Sequence, residues 1–311
     1  MPTLRKIVIT GGTGFVGRHV CERLFAHDPQ TRLVVPSRRR ASGRDLQVLP
    51  TVDLLVCNVH DAAALPGLLA GADAVVHLVA ILHGSEADFD RVHVQLPRQL
   101  AAACGAAGVQ RVVHVSALGV AAGAPSAYLR SKAAGEQVWQ AAAQQHGFGL
   151  TVLRPSVIFG ADDRFTNLFV KLQRLLPVLP LAGAGARFQP VWVGDVAQAV
   201  ARCLQPGAPA SPIIECAGPE VMTLQQIVQR VGAMAGCRRP VLALPEAAGL
   251  LQAAVMALLP GEPLMSRDNV LSMRVPNVAS GTLPGLASLG ITPVALETLA
   301  GHFNPADPRQ R

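Results

Sequence analysis

Along the first half of the chain, short β-branched apolar runs alternate with longer stretches in which apolar positions recur at helical spacing. The runs Ile7–Thr10, Arg32–Val35, Val52–Val56, Ala74–Leu78, Val112–Ser116 and Leu150–Arg154 predict strands. The stretches Phe15–His27, Ala62–Ala70, Phe89–Ala107 and Ser126–Gln145 predict helices. The strands are almost continuously apolar, as expected where helices cover both faces of a parallel sheet. The fold class is therefore α/β: a doubly wound parallel sheet (Rossmann), expected to hold seven strands, with a smaller, mostly C-terminal, substrate-facing lobe. Past residue 160 the rhythm loosens and prolines multiply (Pro177, Pro180, Pro190, Pro206, Pro209, Pro212, Pro219), so shorter elements and loops should follow. Residues 1–160 read as the dinucleotide-binding core, 161–303 as a mixed α/β part that completes the sheet and forms the lobe, and 304–311 as a flexible tail.

Composition narrows the class. A chain of 311 residues that is 50% hydrophobic and 15% charged can bury a core. Its net charge of +7 is scattered apart from Arg38-Arg39-Arg40 with Arg44, and one Tyr and two Trp are too few for an aromatic-basic reader, which argues against a nucleic-acid partner. The six cysteines are spread without CxxC spacing, and no HxxxH or HExxH occurs, so neither a disulfide framework nor a metal site is expected. His77 and His114 fall within strands and should be packed and hydrogen bonded. The opening MPTLRKIVIT lacks a signal-peptide h-region, which makes a cytoplasmic location the expectation. The apolar stretch Ala247–Pro260 is short of the roughly 18 residues a spanning helix needs. It reads as a core or lid helix with at most peripheral membrane contact.

Candidate chemistry begins at Gly11-Gly12-Thr13-Gly14-Phe15-Val16-Gly17, between the first strand and the first helix. In that context Gly11 permits a tight turn, Gly14 lets backbone N–H groups approach a pyrophosphate, and Gly17 lets the helix pack closely. The helix start adds unsatisfied donors and a partial positive charge. After the second strand the chain reads Ser37-Arg38-Arg39-Arg40, with no carboxylate before Asp45. Arginines there suit a ribose 2′-phosphate, so NADP(H) is favoured over NAD(H), with Ser37, Arg38 and Arg39 as its ligands. A solvated basic turn is the alternative for this run.

Near mid-chain, Tyr128-Leu129-Arg130-Ser131-Lys132 sets a tyrosine and a lysine one helical turn apart on the same face. An ammonium beside a phenol favours the phenolate, which could exchange a proton with a substrate hydroxyl or carbonyl. The glycine spacing, this YxxxK and Leu153-Arg154-Pro155 together resemble the extended short-chain dehydrogenase/reductase superfamily over essentially the whole chain. The resemblance implies a catalytic set of Tyr128, Lys132 and Ser116, with Tyr128 and Lys132 also touching the nucleotide. It further implies nucleotide contacts at Asn58 and Val59, Val79 and Ala80, and Pro155, Ser156 and Val157. Three positions depart from the superfamily pattern: Ala117 where a second hydroxyl is usual, Asn58 where an acid is usual, and His93 where an asparagine is usual. The longer stretches LRPSVIFGADDRFTNLF, LLPVLPL, RFQPVWVGDVAQAV and PLMSRDNVLSMRVPNVAS resemble an atypical subgroup. That subgroup contains the NADPH-binding accessory subunit of respiratory complex I and its bacterial relatives.

Two functions follow from the resemblance. One is an NADP(H)-binding oxidoreductase or epimerase/dehydratase-like enzyme acting on a small molecule through Tyr128 and Lys132. The other is a non-catalytic nucleotide-binding subunit or redox sensor, docked to a respiratory complex and peripheral to the inner membrane. Arg164, Arg187 and Gln189 are candidate pocket groups, and Asp195 reads as a helix N-cap.

Overall fold

The computed structural model describes residues 4–205, 213–256 and 265–303. Its centre is a seven-stranded parallel sheet: β1 (Lys6–Thr10), β2 (Arg32–Ser37), β3 (Val52–Val56), β4 (Ala74–His77), β5 (Arg111–Val115), β6 (Gly149–Pro155) and β7 (Ile213–Cys216). The spatial order is β7-β6-β5-β4-β1-β2-β3. The direction of winding reverses at β1, so the carboxyl ends of β1 and β4 flank the crevice where an open α/β sheet accepts a ligand.

Helices α1 (Phe15–His27) and α5 (Val193–Leu204) cover one face, burying Val20, Cys21, Leu24, Val196 and Val200 against Ile7, Ile9, Leu33 and Val76. On the other face α2 (Leu96–Ala106) and α3 (Ala127–His146) bury Leu100, Cys104 and Trp139 against Val8, Val75 and Val112. The long helix expected over Phe89–Ala107 is interrupted: Glu86–Asp90 is α-helical, Arg91–Gln95 forms a π-turn, and only then does α2 begin. A π-turn is a single widened turn within otherwise helical backbone, and helical spacing read over the whole stretch does not single it out.

The smaller lobe is built from α4 (Arg164–Leu175), α6 (Leu224–Met234), α7 (Glu246–Met256), α8 (Arg267–Ser272) and a parallel ribbon of Leu179–Ala182 with Val241–Leu244. The expected tail, 304–311, lies outside the described residues, as do the last four residues of the apolar stretch 247–260. Among the described residues no helix is long and apolar enough to cross a membrane.

Candidate functional site

The glycine loop closes around β1. Gly11 has φ +79°, and a Cβ there would press on the backbone of Leu78 and Val79 at 3.1 Å, so the turn and the close approach of β4 both require glycine. A Cβ at Gly17 would run into the Gly11 carbonyl oxygen, which explains why α1 can pack down onto the loop. Gly14 is the N-cap of α1 and offers no side-chain cap, and the first turn of Phe15, Val16 and Gly17 contains no acid. Thr13 precedes it in the loop. The N-terminus of α1 is therefore open, with its first N–H groups and partial positive charge facing the sheet crevice.

The turn after β2 carries the next candidate residues. Ser37 Oγ donates to the Arg39 carbonyl at 2.9 Å and fixes the bend, while Arg38 and Arg39 are exposed and have no ion-pair partner among the described residues. Asp45, the nearest downstream acid, is paired with Arg18 at 2.7 Å. Asn58 Oδ1 accepts from His60 N at 3.2 Å and shapes the turn after β3, and Val59 packs on the core beneath. Val79 abuts Gly11, and Ala80 beyond it is exposed.

Tyr128, Lys132 and Glu136 succeed one another at four-residue intervals along one face of α3. Lys132 is buried and its Nζ donates to the Val115 carbonyl at 2.8 Å, at the end of β5 and one residue before Ser116. Burial pulls Lys132 down to about 8, with Glu136 opposing. Glu136 is held by Arg154 of β6 in a two-pronged ion pair, at 2.9 and 2.5 Å. The ring of Tyr128 meets Phe89 and His93 edge-on, with centroids 6.1 and 5.6 Å away. Burial pushes its hydroxyl up to about 12. The direction is opposite to that expected of a lysine-lowered phenol: the Lys132 ammonium donates to the Val115 carbonyl, and desolvation raises Tyr128. Ser116 Oγ is buried at the end of β5 without a hydrogen-bond partner among the described residues.

His93 has a structural assignment. Its Nε2 accepts from Ile81 N at 3.1 Å, and Nδ1 lies 2.9 Å from Ser131 Oγ, which donates to the Tyr128 carbonyl at 2.8 Å. This chain of bonds fixes the neutral Nδ1–H tautomer. Burial and the nearby Lys132 draw the ring's pKa down to about 3. The π-turn presents the His93 carbonyl to α3, where only Gly135 leaves room for it.

Two carbonyl-rich anchors were not visible as sites in the sequence. Asn277 accepts from Ser156 Oγ at 2.7 Å and Val157 N at 2.9 Å through Oδ1, so the polar groups of those two residues are already engaged. Buried Pro155 and the partly exposed Val157 side chain remain as apolar surface at the strand end. Asp268 of α8 reaches the start of α3, accepting from Ala127 N at 2.7 Å and Tyr128 N at 3.0 Å. With Ser126 Oγ accepting from Leu129 N, that helix start is fully capped. Other expectations need correction. Asp195 does not cap α5, whose N-cap is Trp192; it accepts instead from Val294 N at 2.8 Å. Gln189 bridges the Gly218 carbonyl and Ala279 N rather than facing a pocket. Arg187 is exposed, and Arg164 opens α4. His77 bonds Thr10 Oγ1 through Nδ1 at 2.7 Å, but its Nε2 and both nitrogens of His114 are unpartnered among the described residues. No cluster of three or more potential metal ligands occurs among the described residues.

Comparison with known proteins shows the family and the fold. The chain is 29% identical over 296 residues to the mitochondrial NADH dehydrogenase [ubiquinone] 1 alpha subcomplex subunit 9 of Mus musculus, covering 93% of this chain and 77% of that one. It is 32% identical over 205 residues to the ceramide reductase of Caulobacter vibrioides, covering 64% and 61%. In fold it matches the NADPH-dependent quinone oxidoreductase QOR2 of Escherichia coli, complexed with NADPH, with TM-score 0.75 and 21% identity over 95% of this chain and 99% of that one. The model of the NAD dependent epimerase/dehydratase family matches residues 7–216, the glycine loop and all seven sheet strands, and the chain belongs to that family.

Proposed function

We propose that the chain binds NADP(H) in preference to NAD(H) and acts as an oxidoreductase on a carbonyl or hydroxyl substrate. The observation that carries the nucleotide reading is the open N-terminus of α1 above a loop that requires glycine at Gly11 and Gly17. The pyrophosphate would lie on Gly11–Gly17, the 2′-phosphate against Ser37, Arg38 and Arg39, and the nicotinamide end near Pro155, Tyr128 and Lys132. When bound, the nicotinamide supplies or accepts hydride. Ser116, with its unpartnered hydroxyl, orients the substrate oxygen. Tyr128 holds or moves the proton at that oxygen, and Lys132 keeps the nicotinamide ribose in place. The ceramide reductase and a Stigmatella aurantiaca ketoreductase of a farnesylated quinoline oxide, 32% identical over 176 residues, support a lipophilic carbonyl compound as the substrate class.

A second reading, a nucleotide-holding subunit of a respiratory complex, is favoured by the high position of the Tyr128 hydroxyl, by Ala117, and by the mitochondrial relatives. Two measurements separate the readings. Mass spectrometry of the purified protein should find NADP(H), and Arg38→Asp should weaken NADP(H) by about tenfold or more while leaving NAD(H) nearly unchanged; equal loss of both would remove Arg38 from the phosphate site. Tyr128→Phe should lower turnover of a responsive long-chain ketone or quinone by about 100-fold or more with nucleotide affinity kept. No oxidation of bound NADPH by any such compound would favour the subunit.

A further inference from the structure

The smaller lobe turns an apolar face outward. Leu175 ends α4, three residues before Val178, which leads into Leu179–Ala182. That strand pairs in parallel with Val241–Leu244, setting Pro180 opposite Leu242. Leu179 and Leu181 point inward to a cluster with Phe169, Leu224 and Val228, so strand alternation puts Val178, Pro180 and Leu242 on the opposite face. Helix α7 rests at the far end of that same face, where a Cβ on Gly249 would press on the Ala182 Cβ at 2.6 Å. Exposure is 74% at Leu175, 45% at Val178, 57% at Leu242 and 67% at Leu251 of α7. Burying four such side chains elsewhere would be favourable, and the lobe leaves them in water.

The charges beside this face that lack an ion-pair partner among the described residues are positive. Lys171 and Arg174 are exposed on the last turns of α4, and Arg238 and Arg239 are exposed just before Val241–Leu244. None of Lys171, Arg174 and Arg238 has an ion-pair partner among the described residues. Arg239 donates to the Gln173 carbonyl at 3.1 Å, which ties the two cationic segments together. The acid of this neighbourhood, Glu246, is bound to Arg274. Protein-binding cores are rich in aromatic residues and poor in charge; this face has exposed aliphatic side chains and unpaired cations.

We propose that this face docks the protein onto an anionic phospholipid surface. Leu175, Val178, Leu242 and Leu251 enter the headgroup boundary, and Lys171, Arg174, Arg238 and Arg239 pair with lipid phosphates. The protein lies on the bilayer and does not cross it. The surface takes in the end of α4 and the ribbon as well as Leu251 of α7. It does not depend on whether Tyr128 carries out chemistry, though it would suit a lipid-borne substrate.

The test is sedimentation of the full chain with phosphatidylcholine vesicles, with and without one-third phosphatidylglycerol. Binding is expected to the mixed vesicles and to fall steeply on neutral ones. Lys171→Glu with Arg174→Glu should weaken binding at least about 20-fold, since each cation near such a surface contributes about fivefold. Leu175→Ser with Leu242→Ser should remove the part that survives high salt. Nucleotide affinity should be unchanged in both double variants, which reports correct folding and keeps this outcome separate from that of the proposed function. Absence of binding to the mixed vesicles overturns the proposal, as does binding indifferent to both double variants. A solution dimer lost in both variants, without vesicle binding, would overturn it by giving the face to a second copy.

Discussion

Helices α1 and α3 begin in opposite ways. At α1 the N-cap is Gly14, with no side chain to accept a bond and no acid in the first turn. At α3 every early amide is met: Asp268 takes Ala127 N and Tyr128 N, and Ser126 takes Leu129 N. Both helices carry the same orphan donors and the same partial positive charge. The chain neutralises that charge internally at α3 and leaves it without a side-chain cap or an acid in the first turn at α1. Asp268 comes from the C-terminal segment, 140 residues from Tyr128, so the smaller lobe fixes the helix that carries the Tyr-Lys pair.

The comparison breaks most completely if α1 is closed. Gly14 has φ −79° and ψ 175°, which any residue adopts, and a Cβ there would lie 3.3 Å from the Gly11 carbonyl oxygen. Gly14→Asp should therefore fold and stabilise α1 by a few tenths of a kcal/mol. The added carboxylate should cost nucleotide affinity about a thousandfold, because like charges set together oppose by several kcal/mol. Titration of NADPH fluorescence would show it, and unchanged affinity would remove α1 from the phosphate site.

The buried face of α3 gives the next effect. Lys132, pulled down to about 8 by burial, has lost its proton in the folded state where the unfolded chain still holds it, from about pH 8 to 10.5. Stability from this group therefore rises with pH across that window. The stability difference between wild type and Lys132→Met should shift by about 3 kcal/mol toward wild type over that range, read by urea unfolding at each pH. A difference independent of pH would refute the shift.

Opening α3 is the smallest change. Asp268→Ala should cost about 2 kcal/mol by stranding two amides of a helix start, with Asp268→Asn costing less and nucleotide affinity unchanged in both. Equal stability of Asp268→Ala and wild type would show that the clasp contributes nothing.

What the sequence disclosed is what local chemistry determines. Strand runs covered on both faces, the glycine loop and the YxxxK spacing are written over a few residues each, and the structure carries the same elements. Contacts between distant segments were not readable: Asn277 on Ser156, Asp268 on Tyr128 and Arg154 on Glu136 join residues 121, 140 and 18 positions apart. Glu136 did leave a signal, as the third member of the four-residue ladder after Tyr128 and Lys132. Asp195 misled because N-cap preference is a local rule, and the amide of Val294 drew the carboxylate instead. The direction of the Tyr128 shift was hidden for a similar reason: spacing placed Lys132 one turn away, but burial raises the phenol and the Val115 carbonyl takes the ammonium.

Tyr128 is the only tyrosine in the chain, and its ring sits edge-on to two other rings. Protein grown with isotope-labelled tyrosine would therefore give a single set of ring resonances, displaced by the currents of Phe89 and His93. A ligand that moved either ring would shift that one signal, without adding a probe.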